Sequence, residues 1–469
     1  MIYSILAIVH AIAATAVTGH VLLHKEDVRA ATAWIGLAWL SPIVGPTAYF
    51  ALGINRVARR ASRIVRSAGA SAQFPASPDF STEKLPDDIR TTAVVGTRLT
   101  ALPLTGGNRI EVLHAGDEAY PAMLEAIGKA KSTIALSSYI FRPDSVGAQF
   151  VDALKAAQAR GVDIRVLVDG IGSGYFYSPV VRALLATGIE AARFAHDWRP
   201  WRMSFINLRN HKKLMVIDGV RGFAGGLNLG VENILKRQKG RGTDDLHFRL
   251  DGPIVGQLTT SFAEDWHFTT GEALDGPKWW PDIEPAGNVV ARAVSSGPDE
   301  DVGTIEMILA TAISQAREKI RIVTPYFLPD ETLRSALSLA ALRGVEVEIV
   351  LPERSDHVWM DWAMTAHLEH FPLDRIKCHL TSGPFDHSKL VTVDGQWCAF
   401  GSPNWDVRSL RLNFELLLEC YGENMTKTVN GIIDDKIAGA RQYTRDELDA
   451  RSLPVRLRDA SFRMLLPYL

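Results

Sequence analysis

Hydrophobic and polar positions divide the chain into an apolar head and a long body in which strand-like and helix-like periods alternate. Ile2 to Leu23 is an apolar run broken only by Tyr3, His10, His20 and small hydroxyl residues, and Ala30 to Ile54 is a second. Each is long enough to cross a bilayer. The polar turn His24-Lys25-Glu26-Asp27 separates them. A cleaved signal would start with basic residues and a short apolar centre, whereas Met1-Ile2-Tyr3-Ser4 has no basic side chain and a second run follows, so the pattern predicts a retained transmembrane helical hairpin. Arg56, Arg59, Arg60, Arg63 and Arg66 come directly after it and complete a membrane segment over residues 1–66. By the positive-inside rule these arginines place the following body in the cytoplasm, where they could also meet anionic headgroups. A solvated helical face is the plainer reading of the same arginines.

Residues 67–88 are small, polar and proline-bearing and read as a linker. The body then repeats itself. SSYIFRPD, an amphipathic helix over Gly147 to Ala159 and RGVDIRVLVDG answer to VTPYFLPD, a helix over Glu331 to Leu342 and RGVEVEIVLPE. Strand, helix, strand is the order in both, and the apolar runs Ile164 to Val168 and Val347 to Leu351 fit buried sheet with crossover helices. The expectation is an α/β fold of two similar domains with mixed sheets flanked by helices, over residues 89–275 and 286–469. A Pro- and Gly-rich seam near Gly271 to Asn288 separates them, and the two halves of a shared site should meet across it.

The repeat carries chemistry. His211, Lys213, Asp218, Gly225, Gly226 and Asn228 are matched in spacing by His387, Lys389, Asp394, Gly401, Ser402 and Asn404. Alternation along a strand would point His211 and Lys213 one way while Leu214 and Val216 pack the other. Small residues at Gly226 and Ser402 would let a ligand approach the backbone, and Asn228 and Asn404 could donate amide hydrogens to it. One imidazole, one ammonium and one amide make half of a phosphate site, and the chain has two such halves. A phosphodiester needs its charge neutralised, a nucleophile in line and a proton for the departing alkoxide. The lysines and asparagines would hold the phosphate, one histidine would attack phosphorus, and the other would serve as acid and then base. These two duties demand different pKa values, and carboxylates are the means. Asp245, with Asp244 as near-equivalent, follows the first motif and Glu415 the second, each placed to orient the imidazole of its own half. Asp218 and Asp394 precede glycines at strand ends and read either as reacting groups or as turn residues.

At 469 residues and 47% hydrophobic the chain can hold two cores plus anchors, and a net charge of −2 argues against a general nucleic-acid binder. Cys378, Cys398 and Cys420 are an odd number without metal-clamp spacing and read as reduced core residues. His367 and His370 could face one way on a helix but have no acidic partner in a metal motif, so no metal is expected.

RNHKKLMVIDG, GGLN, DHSKLVTVDG, GSPNWDVRSLRLNFE, Ser296-Gly297-Pro298 and the ending MLLPYL resemble segments of the bacterial cardiolipin synthases of the phospholipase D superfamily, and the likeness runs the length of the chain. The resemblance implies catalysis without metal or other cofactor, His211 as nucleophile and His387 as general acid/base, although the symmetry of the motifs permits the swap. It also implies phosphatidyl transfer between two phosphatidylglycerol molecules, giving cardiolipin and glycerol, by a multi-pass protein of the bacterial inner membrane. With water as acceptor the product would instead be phosphatidic acid, and another donor or acceptor lipid stays open. One departure bears on that choice: a segment that often reads Glu-Thr-Tyr in relatives is Ser137-Ser138-Tyr139 here. A nuclease of the superfamily would more often show a basic groove than two bilayer spans. A non-catalytic scaffold would be expected to have lost a His, Lys or Asn from one copy.

Overall fold

The computed structural model describes residues 2–25, 28–53, 80–174, 176–194, 208–238, 241–297 and 303–464. They belong to two compact units, Met1–Ile64 and Val65–Leu469. The arginine-rich stretch after the second apolar run, residues 67–79 of the linker, Pro298 and the last five residues lie outside the described residues.

In the first unit Ile2–His24 is one continuous helix of 23 residues. At about 1.5 Å per residue it exceeds the roughly 30 Å hydrocarbon thickness. Ile5, Leu6, Ile8, Val9 and Ile12 are exposed on it, as lipid-facing side chains would be. The second apolar run departs from the expected single span. It forms a 13-residue helix Val28–Leu40, a short helix Val44–Ala48 and a π-helical turn Tyr49–Gly53. Ser41-Pro42 ends the first piece, since a proline disfavours helical backbone at the residue before it. Ala14, Val17 and Val21 of the long helix pack on Ala38 and Tyr49 of these pieces.

In the second unit the main-sheet strands in chain order are β1 Thr105–His114, β2 Thr133–Ser138, β3 Asp163–Asp169, β4 Glu190–Phe194, β5 Leu214–Ile217, β6 Arg221–Gly225 and β7 Leu246–Asp251. The second half supplies β8 Val289–Ser296, β9 Lys319–Val323, β10 Glu346–Pro352, β11 Ile376–Thr381, β12 Leu390–Val393, β13 Trp397–Gly401, β14 Glu415–Tyr421 and β15 Ala440–Tyr443. Among the described residues these fifteen form one sheet, in the order β4-β3-β2-β5-β6-β7-β1-β8-β14-β13-β12-β9-β10-β11-β15. Read outward from the β1–β8 seam, the first seven strands of each half match position for position, and β15 is an added edge. The repeat seen in the sequence is thus a repeat of topology, and its halves share one sheet.

Strands β2-β3-β4 and β9-β10-β11 are parallel neighbours, which requires crossover helices. The helices Ser145–Ala159 and Glu331–Leu342 supply two of them. Asp144 and Asp330, the last residues of the two repeated segments, cap their N-termini through side-chain carboxylates. Val146, Phe150, Leu154 and Ala157 recur at helical spacing and enter the core of the first half. A larger core cluster lies in the second half. The halves are held at the seam by the stacked rings of Phe248 and Phe400, 3.7 Å apart, and by Arg292, which pairs with the buried Glu419 of its own half and donates to Ala93 O at 3.2 Å and Thr97 Oγ1 at 2.6 Å in the first. Gly96, on the helix Asp87–Thr100, makes room for that arginine: a Cβ there would stand 1.8 Å from a guanidinium nitrogen.

Candidate active site

β5 begins at Leu214; His211, Lys212 and Lys213 lie in the extended segment leading into it, and all four residues of β5 are buried. A short parallel bridge to the other half fixes that segment. Asn210 bridges Phe414, with His211 N donating to Phe414 O at 2.9 Å and Phe414 N to Arg209 O at 2.8 Å. The second motif is held the same way, since Phe385–Asp386 pairs in parallel with Thr243–Asp244 and His387 N donates to Asp244 O at 2.7 Å. Each bridge sets the histidine of one half beside the residue that follows the bridged position of the other.

Those following residues are the two carboxylates. His211 Nδ1 lies 3.0 Å from Glu415 Oε2, and His387 Nδ1 lies 2.7 Å from Asp245 Oδ2. The expectation that each carboxylate serves its own half is therefore corrected: the pairs are crossed, and neither half holds a complete histidine–carboxylate unit. Asp244, the near-equivalent candidate, instead pairs with Lys436 at 3.2 Å.

Gly226 and Ser402 also have a different place from the one expected. A Cβ at Gly226 would stand 2.2 Å from Asp245 Oδ1, and Ser402 Oγ donates to Glu415 Oε2 at 2.5 Å. Both small residues seat a carboxylate rather than a ligand. Glu415 also accepts from Ser409 Oγ at 2.6 Å and Asn413 Nδ2 at 3.2 Å. Burial works to raise its pKa, but the His211 and Lys213 charges and the bonds from His211 and Ser402 outweigh it and bring the carboxyl down to about 2. Burial opposes ionisation of Asp245 as well, and Lys389 and His387 hold it below the ordinary range.

Both imidazoles are pushed down. Burial takes His211 to about 4 against the pull of Glu415, and burial followed by the Lys389 charge lowers His387. Burial is the largest cause on both sides, and the difference between the two is in their partners. The edge of Tyr139 meets the His211 ring at 4.9 Å, and Lys213 Nζ lies 5.3 Å from the centre of the same tyrosine ring. Lys213 Nζ donates to His211 O at 2.6 Å. Burial, with the Lys389 charge assisting, brings Lys213 down to about 7. Lys389 Nζ donates to His387 O, lies 2.8 Å from His387 Nδ1 and 3.7 Å from Asp245.

Asn228 Oδ1 accepts from Ile140 N at 3.2 Å. Asn404 is buried, and its Oδ1 finds no hydrogen-bond partner among the described residues. Of the two readings open for Asp218 and Asp394, reacting group or turn residue, their surroundings are those of turn residues. Both have left-handed backbone, with φ of 52° and 50°. Asp218 accepts the backbone N–H groups of Lys131, Ser132 and Thr133, and Asp394 those of Arg317, Glu318 and Lys319. They close the far ends of β5 and β12, away from the imidazoles.

A second layer went unread in the sequence. Lys212, fully buried between the two motif residues, donates to Asp265 and Ser261 at 3.0 Å each and to Ser295 of the other half at 2.6 Å. Asn210 Nδ2 joins the same Asp265 at 2.9 Å. Around the second motif the charges are rearranged: Lys436 lies 2.8 Å from Asp386 and 3.2 Å from Asp244. A lysine in the middle position of the first motif, where the second has Ser388, was the available signal. The remaining expectations concern the core. Cys378, Cys398 and Cys420 are buried and free, and His370 is engaged by Arg463.

The fold is that of phosphatidylserine synthase from Haemophilus influenzae Rd KW20, with a TM-score of 0.63 over 81% of this chain and 100% of that one. At 15% identity that likeness defines the fold alone, the phospholipase D fold. A family profile described as cardiolipin synthase, PLD-like domain, matches residues 123–266 and 309–436. Cardiolipin synthase A of Pseudomonas fluorescens (strain SBW25) is 35% identical over 75% of this chain and 73% of its own. The major cardiolipin synthase ClsA of Bacillus subtilis (strain 168) is 34% identical over 78% and 76%. Cardiolipin synthase of Geobacillus kaustophilus (strain HTA426) is 30% identical over 93% and 88%. The chain belongs to the cardiolipin synthase family of PLD-like proteins.

Proposed function

We propose that the protein transfers a phosphatidyl group from one phosphatidylglycerol to the glycerol hydroxyl of another, giving cardiolipin and free glycerol. The observation that carries this reading is the crossed pair of buried imidazole–carboxylate contacts, each backed by a lysine. His211 is the better nucleophile. Its Nδ1 faces only the ionised Glu415, which favours the tautomer with the proton on Nδ1 and the lone pair on Nε2. His387 Nδ1 lies between a carboxylate and an ammonium, a setting suited to gaining and losing a proton.

Nε2 of His211 forms a bond to the donor phosphorus as the bond to the head-group glycerol breaks, and His387 gives that alkoxide its proton. The acceptor hydroxyl then returns a proton to His387, bonds to phosphorus and releases His211. An anionic phosphodiester between the imidazoles raises the pKa of the one that must start protonated. Lys213 and Lys389, with Asn228 and Asn404, neutralise and hold the phosphate, so no metal ion is required. The apolar head anchors the site at its substrate as a two-pass segment of the inner membrane, with the body on the cytoplasmic side.

The test is purified protein in vesicles of labelled phosphatidylglycerol, with cardiolipin followed against phosphatidic acid. Cardiolipin with equimolar glycerol is expected, at a rate unchanged by excess chelator. Phosphatidic acid as the sole product would refute transfer, and activity restored by one particular metal would refute the metal-free mechanism.

A further inference from the structure

His247 stands one lateral row from the catalytic lysine, and neither repeat symmetry nor packing explains it. It lies on β7, two residues beyond Asp245, and is 2% exposed. Among the described residues neither ring nitrogen has a hydrogen-bond partner. A neutral imidazole carries one donor and one acceptor, so leaving both unused in the interior is costly unless the ring acts at some stage. The structurally equivalent residue in the other half is Leu417: His247 faces Gly225 in register as Leu417 faces Gly401. The fold therefore accepts an apolar side chain in this slot.

Strand register shows what the imidazole can reach. Gly225 N donates to Lys213 O, so Lys213, Gly225 and His247 form one row across three neighbouring segments, and residues in such a row share a face. The middle member has no side chain, and a Cβ there would stand 2.8 Å from His247 Nδ1. The lysine and the imidazole can meet only over that glycine. Asp245 and Lys213 are the charged groups that act on the ring, which burial takes to about 4 and thus keeps neutral.

We infer that His247 is a positioning residue for Lys213. With phosphate bound, one N–H of the ammonium stays on His211 O, one goes to the phosphate, and the third turns over Gly225 to the lone pair of His247, which has no partner among the described residues before that. The neutral imidazole thereby favours the charged form of the lysine, against burial and the Lys389 charge and alongside Glu415, Asp245 and Asp169. The other groups at this lysine are His211 and the Tyr139 ring. The inference rests on the phosphate-holding role proposed above for Lys213.

The experiment compares full-length wild type, His247→Leu and His247→Gln in lipid vesicles, following kcat/KM across pH and the thermal midpoint. His247→Leu, carrying the residue of the other repeat, should fold with an undiminished midpoint. It should lose about tenfold in kcat/KM at neutral pH, the scale of one hydrogen bond to a charged group. Its alkaline limb should move to lower pH. Gln, which keeps an acceptor, should recover part of both, and Lys213→Arg in the His247→Leu background should remove the shift. A wild-type profile in His247→Leu would make the residue a space filler, and a uniform loss with an unmoved limb would assign it to Asp245; either overturns the inference. If His247→Leu does not fold, the limb of His247→Gln against wild type decides. Release of either cardiolipin or phosphatidic acid reports the limb, so failure of the transfer reading is seen separately.

Discussion

The His211 side of the site and the His387 side began as copies, and what separates them is how firmly each carboxylate is held. Glu415 accepts three hydrogen bonds from its own half, from Ser402, Ser409 and Asn413, besides its contact with His211. Asp245 has the backbone N–H of Leu246 at 2.7 Å, His387, and Lys389 at a longer distance. The position that gives Glu415 a hydroxyl is a glycine beside Asp245, because a side chain there would collide with the shorter carboxylate. One imidazole leans on a saturated, fixed anion, and the other on an anion it shares with an ammonium. The repeat supplies two of each group, while the transfer proposed here needs two different histidines. The difference is made by neighbours rather than by the motifs.

The harshest way to break the comparison is to delete each imidazole in turn. His211→Ala should lose at least ~10⁴-fold in turnover and all covalent label from lipid phosphate, as expected for a nucleophile acting as part of a unit. His387→Ala should lose turnover as heavily with natural substrate yet still take up label from a substrate with a good leaving group. Quenched-flow labelling followed by acid and base stability of the adduct checks both. Label on His387 in wild type would reverse the assignment.

Crossing sharpens the comparison at the next level down. Glu415→Gln should slow formation of the intermediate by roughly 10²–10⁴-fold, by losing the tautomer that presents Nε2 of His211. Asp245→Asn should instead slow both proton transfers of His387, so label accumulates when the substrate has a good leaving group that needs no acid. If each carboxylate served its own half, these two phenotypes would be exchanged. Ser402→Ala should be a weaker version of Glu415→Gln, at about 1.5–3 kcal/mol for a bond to a charged acceptor. A double-mutant cycle between Ser402 and His211 would show coupling through Glu415.

The sequence displayed the repeat because each half had to keep the same strand order, and strand-period runs such as Ile164 to Val168 and Glu346 to Leu351 record that order directly. Both copies of the His, Lys, small-residue and Asn pattern were legible for the same reason. Their crossing was not, because it depends on two bridges of one or two residue pairs, Asn210 with Phe414 and Phe385–Asp386 with Thr243–Asp244. These have no periodic signature. The small residues Gly226 and Ser402 were visible as small, but whether smallness serves a ligand or a carboxylate is decided by a residue 19 or 13 positions away that only the fold brings near. The second apolar run had the composition of a span, and Pro42 divided it. The layer formed by Lys212 and Asp265 was hidden because a buried lysine and a surface lysine look alike in sequence.

A milder perturbation is pH, which acts on the lysines without removing an atom. Lys213 titrates near 7 in the folded protein and near 10.4 when unfolded. Below about 7 it is charged and can hold phosphate, so kcat/KM should fall as pH rises through that value, and Lys213→Arg, if active, should move the limb upward. Stability should respond with the opposite sign. Between the folded and unfolded pKa values the unfolded chain binds more protons at this lysine, so its contribution to stability rises with pH. Alkaline loss of activity should therefore come without a falling thermal midpoint. A midpoint that falls in step with kcat/KM would assign the limb to unfolding instead.

The smallest effect is expected where the two halves remain most alike, at Asp218 and Asp394. Each sits in left-handed backbone that Asp and Asn tolerate better than most residues, and each carboxylate gathers three backbone N–H groups at the far end of its strand. Asp218→Asn keeps the turn and one acceptor oxygen but loses the charge, at a cost of roughly 1–3 kcal/mol in stability. Asp218→Ala adds the strain of a positive φ and should cost more. In both, kcat/KM per folded molecule should stay within about twofold of wild type, because the contacts of His211, Lys213 and Glu415 are made at the other end of β5. Denaturant unfolding alongside turnover separates the two quantities. The decisive result is Asp218→Asn: full stability with turnover reduced a hundredfold would make this aspartate a reacting group after all, and its equivalent Asp394 with it.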